Sequence, residues 1–194
     1  MSQRHIYLVR HGQQATPGAA PHPLGNGLTA LGRQQARRLA RRLATLPVNV
    51  IHFSTLRRAA ETAGFIAAQL PDVPVRPSRA LWEIPAANIL PAFAHWYGTV
   101  TPDQVAQGRA RAEAVFQRLF RPVRGRERHE VVVCHGNLIR FCVCQAFHMA
   151  PEAWVNLDPH NAGLTEIVVE RDGRLRLLSF NDVGHLPPPL RTFL

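Results

Sequence analysis

The sequence contains no lysine: all 23 of its basic residues are arginine, set against 13 acidic residues, for a net charge of +10. A GC-rich coding sequence produces such a bias, and the abundant alanine fits it. A positive surface also raises the encounter rate with anionic substrates. Cysteine is scarce. Cys134, Cys142 and Cys144 are odd in number and lack C-x-x-C spacing, which argues against a disulfide framework. No apolar run approaches the roughly 18 residues that cross a bilayer. A strand pattern begins within about five residues of Met1, which leaves no room for a signal peptide. A cytoplasmic location without membrane contact is therefore expected. The G-x-x-x-x-G-K-[ST] loop and the G-x-S-x-G elbow are both missing, which removes the common NTPase and serine-hydrolase chemistries. The charged face formed by Arg37, Arg38, Arg41 and Arg42 has no aromatic residues interleaved for stacking, so no nucleic-acid partner is expected.

What is present suits one globular domain over residues 1–194, since 46% of the residues are hydrophobic and 19% charged. His5 to Val9 reads as a buried strand. An amphipathic helix is expected from Leu28-Thr29 to about Leu46, a strand over Asn49–Phe53, and a helix capped by Ser54 or Thr55 running to about Leu70. A short strand near Val73–Arg76 follows. Residues 84–101 are Pro-rich and aromatic and suggest a short cap. A helix over Pro102–Phe120, a strand over Glu130–Cys134 and a helix to about Met149 come next. A hairpin then turns at Asp172-Gly173. This alternation predicts an α/β three-layer sandwich, with a mostly parallel central sheet, helices on both faces and a C-terminal β-hairpin.

The most informative feature is an echo. Leu8-Val9-Arg10-His11-Gly12 and Val132-Val133-Cys134-His135-Gly136 each deliver a His and then a Gly at the carboxyl end of a buried strand. Ligands of open α/β sheets bind outside the carboxyl ends of strands. If the two strands are neighbours, both imidazoles face one crevice. Glycine there lets a ligand approach the backbone, and a helix opening at Gly136 offers free N–H groups to an anion. Arg57 and Arg58 fall in the first turn of a helix, where the macrodipole disfavours positive charge, and periodicity leaves open which of them points inward. Glu83 lies among apolar neighbours in Leu81-Trp82-Glu83-Ile84-Pro85. Read alone it passes for a surface residue, but partial desolvation would raise its pKa and suit it to general acid work. Two histidines and a glutamate are a zinc-like set. Arginines in the same crevice repel a cation and suit a phosphate, so no metal and no cofactor are expected.

These residues sit in a series of ordered motifs. Arg10-His11-Gly12 after an apolar strand resembles the signature of the histidine phosphatase superfamily, also called phosphoglycerate-mutase-like. The stretch Leu28-Thr29-Ala30-Leu31-Gly32-Arg33-Gln34-Gln35-Ala36 is similar to the family's L-T-x-x-G-x-x-Q-A helix start. Ser54 through Ala63 resembles S-x-L-x-R-A-x-x-T-A, a register that selects Arg58. Leu81-Trp82-Glu83 fits the segment that carries the acid, and His135 through Arg140 fits the second-histidine motif. The C-terminal third, through Pro151, Trp154, Asn161, Thr165, Asp182, Gly184 and Pro187, resembles the branch holding a mitochondrial Ser/Thr protein phosphatase.

The resemblance implies a metal-independent phosphomonoester hydrolase acting through a phosphohistidine on His11, with a phosphoprotein, phosphopeptide or small phosphate ester as substrate. Arg10, Arg58 and His135 would hold the phosphoryl oxygens, Gly136 and Asn137 would add hydrogen bonds, Glu83 would be the acid, and Arg140 would be structural. Gln13-Gln14 stands where the family's mutases carry Glu-Ser or Glu-Thr, which counts against a mutase. A mutase-type phosphotransferase and a non-catalytic phosphate-binding adaptor are the alternatives, and homo-oligomerisation is left open. Trp82, His95, Trp96 and Tyr97 are expected either to pack a small cap or, less readily, to form a substrate lip.

Overall fold

The strand at His5–Val9 is apolar at almost every position because helices cover both of its faces. In the computed structural model, which describes residues 3–16, 22–85 and 100–193, the elements run in chain order β1 (Arg4–Arg10), α1 (Ala30–Leu43), β2 (Val50–Ser54), α2 (Arg57–Ala67), β3 (Val75–Ser78), α3 (Pro102–Leu119), β4 (Arg128–Cys134), α4 (Gly136–Ala146), β5 (Leu164–Val169) and β6 (Leu175–Asp182). Ile6 and Leu8 of β1 join Val132 and Cys134 of β4 in one apolar layer with Val115 of α3 and Leu138 and Cys142 of α4. Tyr7 and Val9 join Val131 and Val133 in the opposite layer, against Leu39 and Leu43 of α1 and Ala59 and Ile66 of α2. Three layers result.

The sheet order is β3-β2-β4-β1-β5-β6. The first four strands are parallel, β5 is antiparallel to β1, and β6 returns antiparallel to β5. The mostly parallel sheet and the C-terminal hairpin are therefore present, and Gly173 takes the positive φ (89°) at the hairpin turn that glycine tolerates best. Helix α1 starts at Ala30, directly after the expected Leu28-Thr29, and ends at Leu43, with Thr29 accepting from the Gly32 N–H as its cap. Arg37, Arg38, Arg41 and Arg42 all lie on its exposed face.

The capping expectation at α2 fails. Leu56 occupies the cap position with no side-chain hydrogen bond, because both hydroxyls are engaged elsewhere. Ser54 ends β2 and bonds His135 through its Oγ at 2.7 Å, and Thr55 Oγ1 accepts from the Trp82 indole N–H at 2.6 Å. Trp82 thus packs partly buried against β2. His95, Trp96, Tyr97 and most of the expected cap lie outside the described residues.

Gly12 is also tighter than the sequence suggests. A Cβ there would meet the Gly32 carbonyl oxygen at 2.5 Å, and a Cβ on Gly32 would meet the Gln13 carbonyl oxygen at 2.1 Å. Its small size serves the contact between the end of β1 and the start of α1, not the approach of a ligand.

At the far end of the sheet, Arg4 binds Glu130 through two bonds of 3.0 and 2.8 Å, and His52 Nε2 stands 3.3 Å from the same carboxylate. Burial pushes the Glu130 carboxyl up, but hydrogen bonds and charge from His52 and Arg4 outweigh it and hold the group at about 2. A depressed folded-state pKa contributes stability that is lost as the pH falls from the ordinary carboxylate range towards 2. Glu130→Gln leaves the Arg4 charge buried without its partner, and urea unfolding at neutral pH should report a loss of about 3–5 kcal/mol. The variant should also lose less stability than the parent between about pH 4.5 and 2.

Candidate active site

Parallel pairing of β1 with β4 aligns Arg10 with Cys134, and the His11 N–H donates to the Cys134 carbonyl at 3.1 Å. The two strands therefore end side by side. The imidazoles of His11 and His135 stand with ring centroids 5.2 Å apart, tilted by 58°. Both are sealed from solvent, at 4% and 0% exposure. On the other side of β1, the Ala162 N–H donates to the carbonyls of Arg10 and His11, with Ala162 in the left-handed region at φ 56°. The buried Asn161 amide also reaches the His11 carbonyl at 3.3 Å.

The tautomer of His11 follows from its neighbours. Nδ1 lies 2.7 Å from the Gly12 carbonyl oxygen, which only accepts, so Nδ1 carries the proton. Nε2 then holds a lone pair, and the Arg58 Nε–H donates to it at 3.0 Å. Of the ambiguous arginine pair, Arg58 is the one turned inward. Arg57 lies on the exposed face and pairs with Glu61 at 2.9 Å. Thr62, one turn along α2, ties this arrangement together: its Oγ1 accepts from the Gly12 N–H at 3.0 Å and donates to the Arg58 carbonyl at 2.8 Å.

Burial, and then the charges of Arg58 and Arg10, push the His11 imidazole well below its ordinary pKa. Burial also lowers His135, reinforced by His11, Arg58, Arg10 and Arg111. Arg10 donates through one guanidinium nitrogen to the Pro159 carbonyl at 2.6 Å. Its Nε and the Nδ1 of His135 are buried without a hydrogen-bond partner among the described residues. Such orphaned polar atoms are costly unless a ligand meets them.

Glu83 lies across the crevice at the start of α4. Its carboxylate oxygens accept from the Ile84 N–H at 3.1 Å and the Asn137 N–H at 3.4 Å. Burial raises its pKa, and those hydrogen bonds with Arg58 and Arg10 only partly offset the rise. Gly136 opens α4 with its Cα beside the Arg10 guanidinium. The Asn137 side chain departs from expectation: its amide donates to the Ile84 carbonyl at 2.9 Å and its oxygen accepts from Arg140 at 3.1 Å. With both ends engaged it holds the Glu83 segment, and only its backbone N–H faces the crevice. Arg140 also binds the Leu157 carbonyl and, at 2.8 Å, Asp158, and lies 4.7 Å above the Trp154 ring. That environment is a structural one.

Two participants escaped the sequence reading. Ser54, taken there for a helix cap, orients His135. Arg111 of α3 donates to the Glu83 carbonyl at 2.7 Å; it lies 28 residues downstream with no motif around it, and only the folded helix brings it near.

A family model of the histidine phosphatase superfamily (branch 1) matches residues 6–183. The Caenorhabditis briggsae protein named serine/threonine-protein phosphatase Pgam5, mitochondrial, is 34% identical over 193 residues, covering 96% of this chain and 66% of that protein. The human protein of the same name is 34% identical over 190 residues, covering 95% and 64%. The chain thus spans just under two thirds of the length of these relatives. A phosphoglycerate mutase from Plasmodium falciparum superposes with a TM-score of 0.66 at 27% identity, covering 97% of this chain and 96% of its own. Bacillus stearothermophilus YhfR, at 23% identity, shares the fold with a TM-score of 0.73 over 94% and 98% of the two chains. The relatives' mitochondrial names overturn the cytoplasmic expectation. That expectation drew a compartment from missing apolar segments. Among the described residues no helix is long and apolar enough to cross a membrane, and this property does not distinguish one aqueous compartment from another.

The imidazoles of the crevice make a direct test of this electrostatic picture. NMR titration should find His11 and His135 still neutral at pH 6, where an ordinary histidine is largely protonated. Because the unfolded chain takes up those protons near 6.5 and the folded chain does not, stability should fall as the pH drops below about 6.5.

Proposed function

This chain belongs to the histidine phosphatase superfamily, and from that membership and the crevice geometry we propose that it is a metal-independent phosphomonoester hydrolase working through a phosphohistidine on His11. The observation that carries the reading is the locked tautomer of His11: Nδ1–H is held by the Gly12 carbonyl, and the Nε2 lone pair lies in a field of arginines. Burial keeps that lone pair free of a proton at neutral pH.

In the proposed reaction His11 Nε2 attacks phosphorus opposite the ester oxygen. The N–P bond forms as the P–O bond breaks, and the proton of Glu83 passes to the leaving oxygen. Arg58 turns its Nε–H from His11 to a phosphoryl oxygen. Arg10 Nε, His135 Nδ1 and the Gly136 N–H supply further donors, so that the spreading negative charge meets fixed positive groups. The Glu83 carboxylate then takes a proton from a water that attacks phosphorus. The N–P bond breaks, inorganic phosphate leaves, and His11 is neutral again. Asn137 and Arg111 act as positioning residues for Glu83, and Ser54 for His135. The arginines supply the charge neutralisation that a divalent ion provides in other phosphoryl-transfer sites, and they would repel such an ion here.

A phosphorylated serine or threonine in a protein is the favoured substrate class, because the relatives that match along nearly the whole chain are named serine/threonine-protein phosphatases. A small phosphate ester is the other candidate. The similarity to a phosphoglycerate mutase keeps isomerisation as the alternative reading. Phosphate release from phosphopeptides and sugar phosphates, measured beside phosphate exchange between isomers, separates them: exchange in excess of release would replace the hydrolase reading.

His11→Ala should lower kcat/KM by about 10³-fold or more, and an unaffected rate would refute the mechanism. Because the Glu83 pKa is raised and the acid form is the competent one, kcat/KM for an alkyl phosphate should fall with rising pH as Glu83 ionises, above the ordinary carboxylate value. Glu83→Gln should lower that rate by about 10²–10⁴-fold and erase this limb. Its effect should be far smaller on a nitrophenyl phosphate, whose leaving group needs no proton.

A further inference from the structure

A second cluster of side chains lies at the opposite end of β1 and β4, about 20 Å from His11 at 3.3 Å per strand residue. His5 and His129 are cross-strand partners whose rings stack with centroids 4.3 Å apart and planes within 12°. Their side chains are largely enclosed, at 14% and 11% exposure, and Glu127, at 48%, reaches over from the segment before β4. One Glu127 oxygen stands 2.8 Å from His129 Nε2 and 3.5 Å from His5 Nε2.

The remaining ring nitrogens are fixed from behind. His5 Nδ1 is 2.8 Å from a Glu166 oxygen; an ionised carboxylate only accepts, so Nδ1 carries the proton. His129 Nδ1 is 2.9 Å from the Tyr7 hydroxyl. The Tyr7 hydroxyl thus backs the His129 ring as the Glu166 carboxylate backs that of His5. Both imidazoles therefore turn Nε2 towards the same carboxylate. Three potential ligand atoms converge on one point beside the stacked rings, where a divalent ion would take the place of the proton shared between His129 and Glu127. A single divalent ion outside the stack satisfies all three ligands, and Glu127 with Glu166 balances its charge.

We propose that His5, His129 and Glu127 form a binding site for a zinc-type divalent ion, with Glu166 and Tyr7 orienting the two imidazoles. Two nitrogens and one carboxylate oxygen form a recognised zinc set, with water completing the tetrahedron. A carboxylate or hydroxyl behind each ring is the arrangement that orients metal-bound histidines. The three ligand atoms lie within 4.8 Å of one another, and bond lengths of about 2.0–2.1 Å require a contraction to about 3.3 Å. The Glu127 oxygen already stands at 2.8 and 3.5 Å from the two nitrogens, so the adjustment falls on small rotations of the two imidazoles. The ion would tie the connection after α3 to the start of β1 and has no part in the chemistry proposed at His11.

The test uses the full chain without a histidine tag, titrated with Co²⁺ for its visible absorption and with Zn²⁺ by calorimetry. One ion should bind per chain, and at about a hundredfold excess over Kd it should raise Tm by on the order of 5 °C. Glu127→Gln, a change at an exposed position, should weaken Co²⁺ binding at least tenfold. Glu166→Gln should weaken it by about 10–100-fold while leaving all three ligands in place. His11→Ala should leave binding unchanged, which separates this site from the histidine pair in the crevice. Absence of saturable binding would overturn the proposal. So would binding that survives Glu127→Gln and Glu166→Gln, or binding that His11→Ala abolishes.

Discussion

The structure depends first on the register between β1 and β4. Because Arg10 pairs with Cys134, the residues that follow each strand, His11 and His135, leave the sheet together and meet at 5.2 Å. A slip of one residue would turn Val9 from the α1/α2 layer to the α3/α4 layer and carry His11 to the wrong face. The buried runs on both strands prevent such a slip, since Ile6, Leu8, Val132 and Cys134 fill one layer while Tyr7, Val9, Val131 and Val133 fill the other. The register of the hydrophobic core and the geometry of the crevice are thus one constraint.

Within the crevice the decisive effect is desolvation, not any single ion pair. Burial is the largest influence on His11, His135, Arg10, Arg58 and Glu83 alike. It favours the neutral form of both histidines and of the carboxyl, while the arginines, whose intrinsic pKa is far higher, remain charged. The resulting field is positive, with the neutral His11 imidazole and the protonatable Glu83 carboxyl on either side. A phosphate dianion is the species such a field stabilises best. Ser54, Thr62, Asn137 and Arg111 matter because they hold this set at fixed distances in a low-dielectric place where reorientation is costly.

Much of this was legible in the chain. The three layers followed from apolar runs alternating with amphipathic helices, and the twin strand-end histidines stood out because the same local pattern occurs twice. Arg58 was different. Periodicity could not separate it from Arg57, since both lie in the first turn of α2, and only the motif register chose between them. What the sequence misrepresented were local rules overruled by distant partners. Ser54 looked like a cap because serine before a helix usually is one, but the cap falls at Leu56 and the hydroxyl belongs to His135, 81 residues away. Asn137 looked like a phosphate ligand, yet Ile84 and Arg140 take both ends of its amide. Gly12 looked like room for a ligand, and that room belongs to Gly32. Arg111 had no local signal, because a long-range contact to a backbone carbonyl leaves no mark on the residues around it.

The two ends of β1 repeat one physical rule. Its middle residues are sealed by helices on both sides, so polar side chains can be placed only where the strand emerges from the layers. At the carboxyl end the emerging groups are Arg10 and His11, which gather an anion-friendly field. At the amino end Arg4 points into the α3/α4 layer and meets Glu130, while His5 points to the α1/α2 side and meets Glu166 and Glu127. On the His5 side of the amino end two carboxylates converge, whereas at the carboxyl end guanidiniums gather around His11. A cation and a phosphate therefore prefer opposite ends of the same strand. With five rigid, dry residues between them, a cation bound at the first end steadies the scaffold without entering the field at the second.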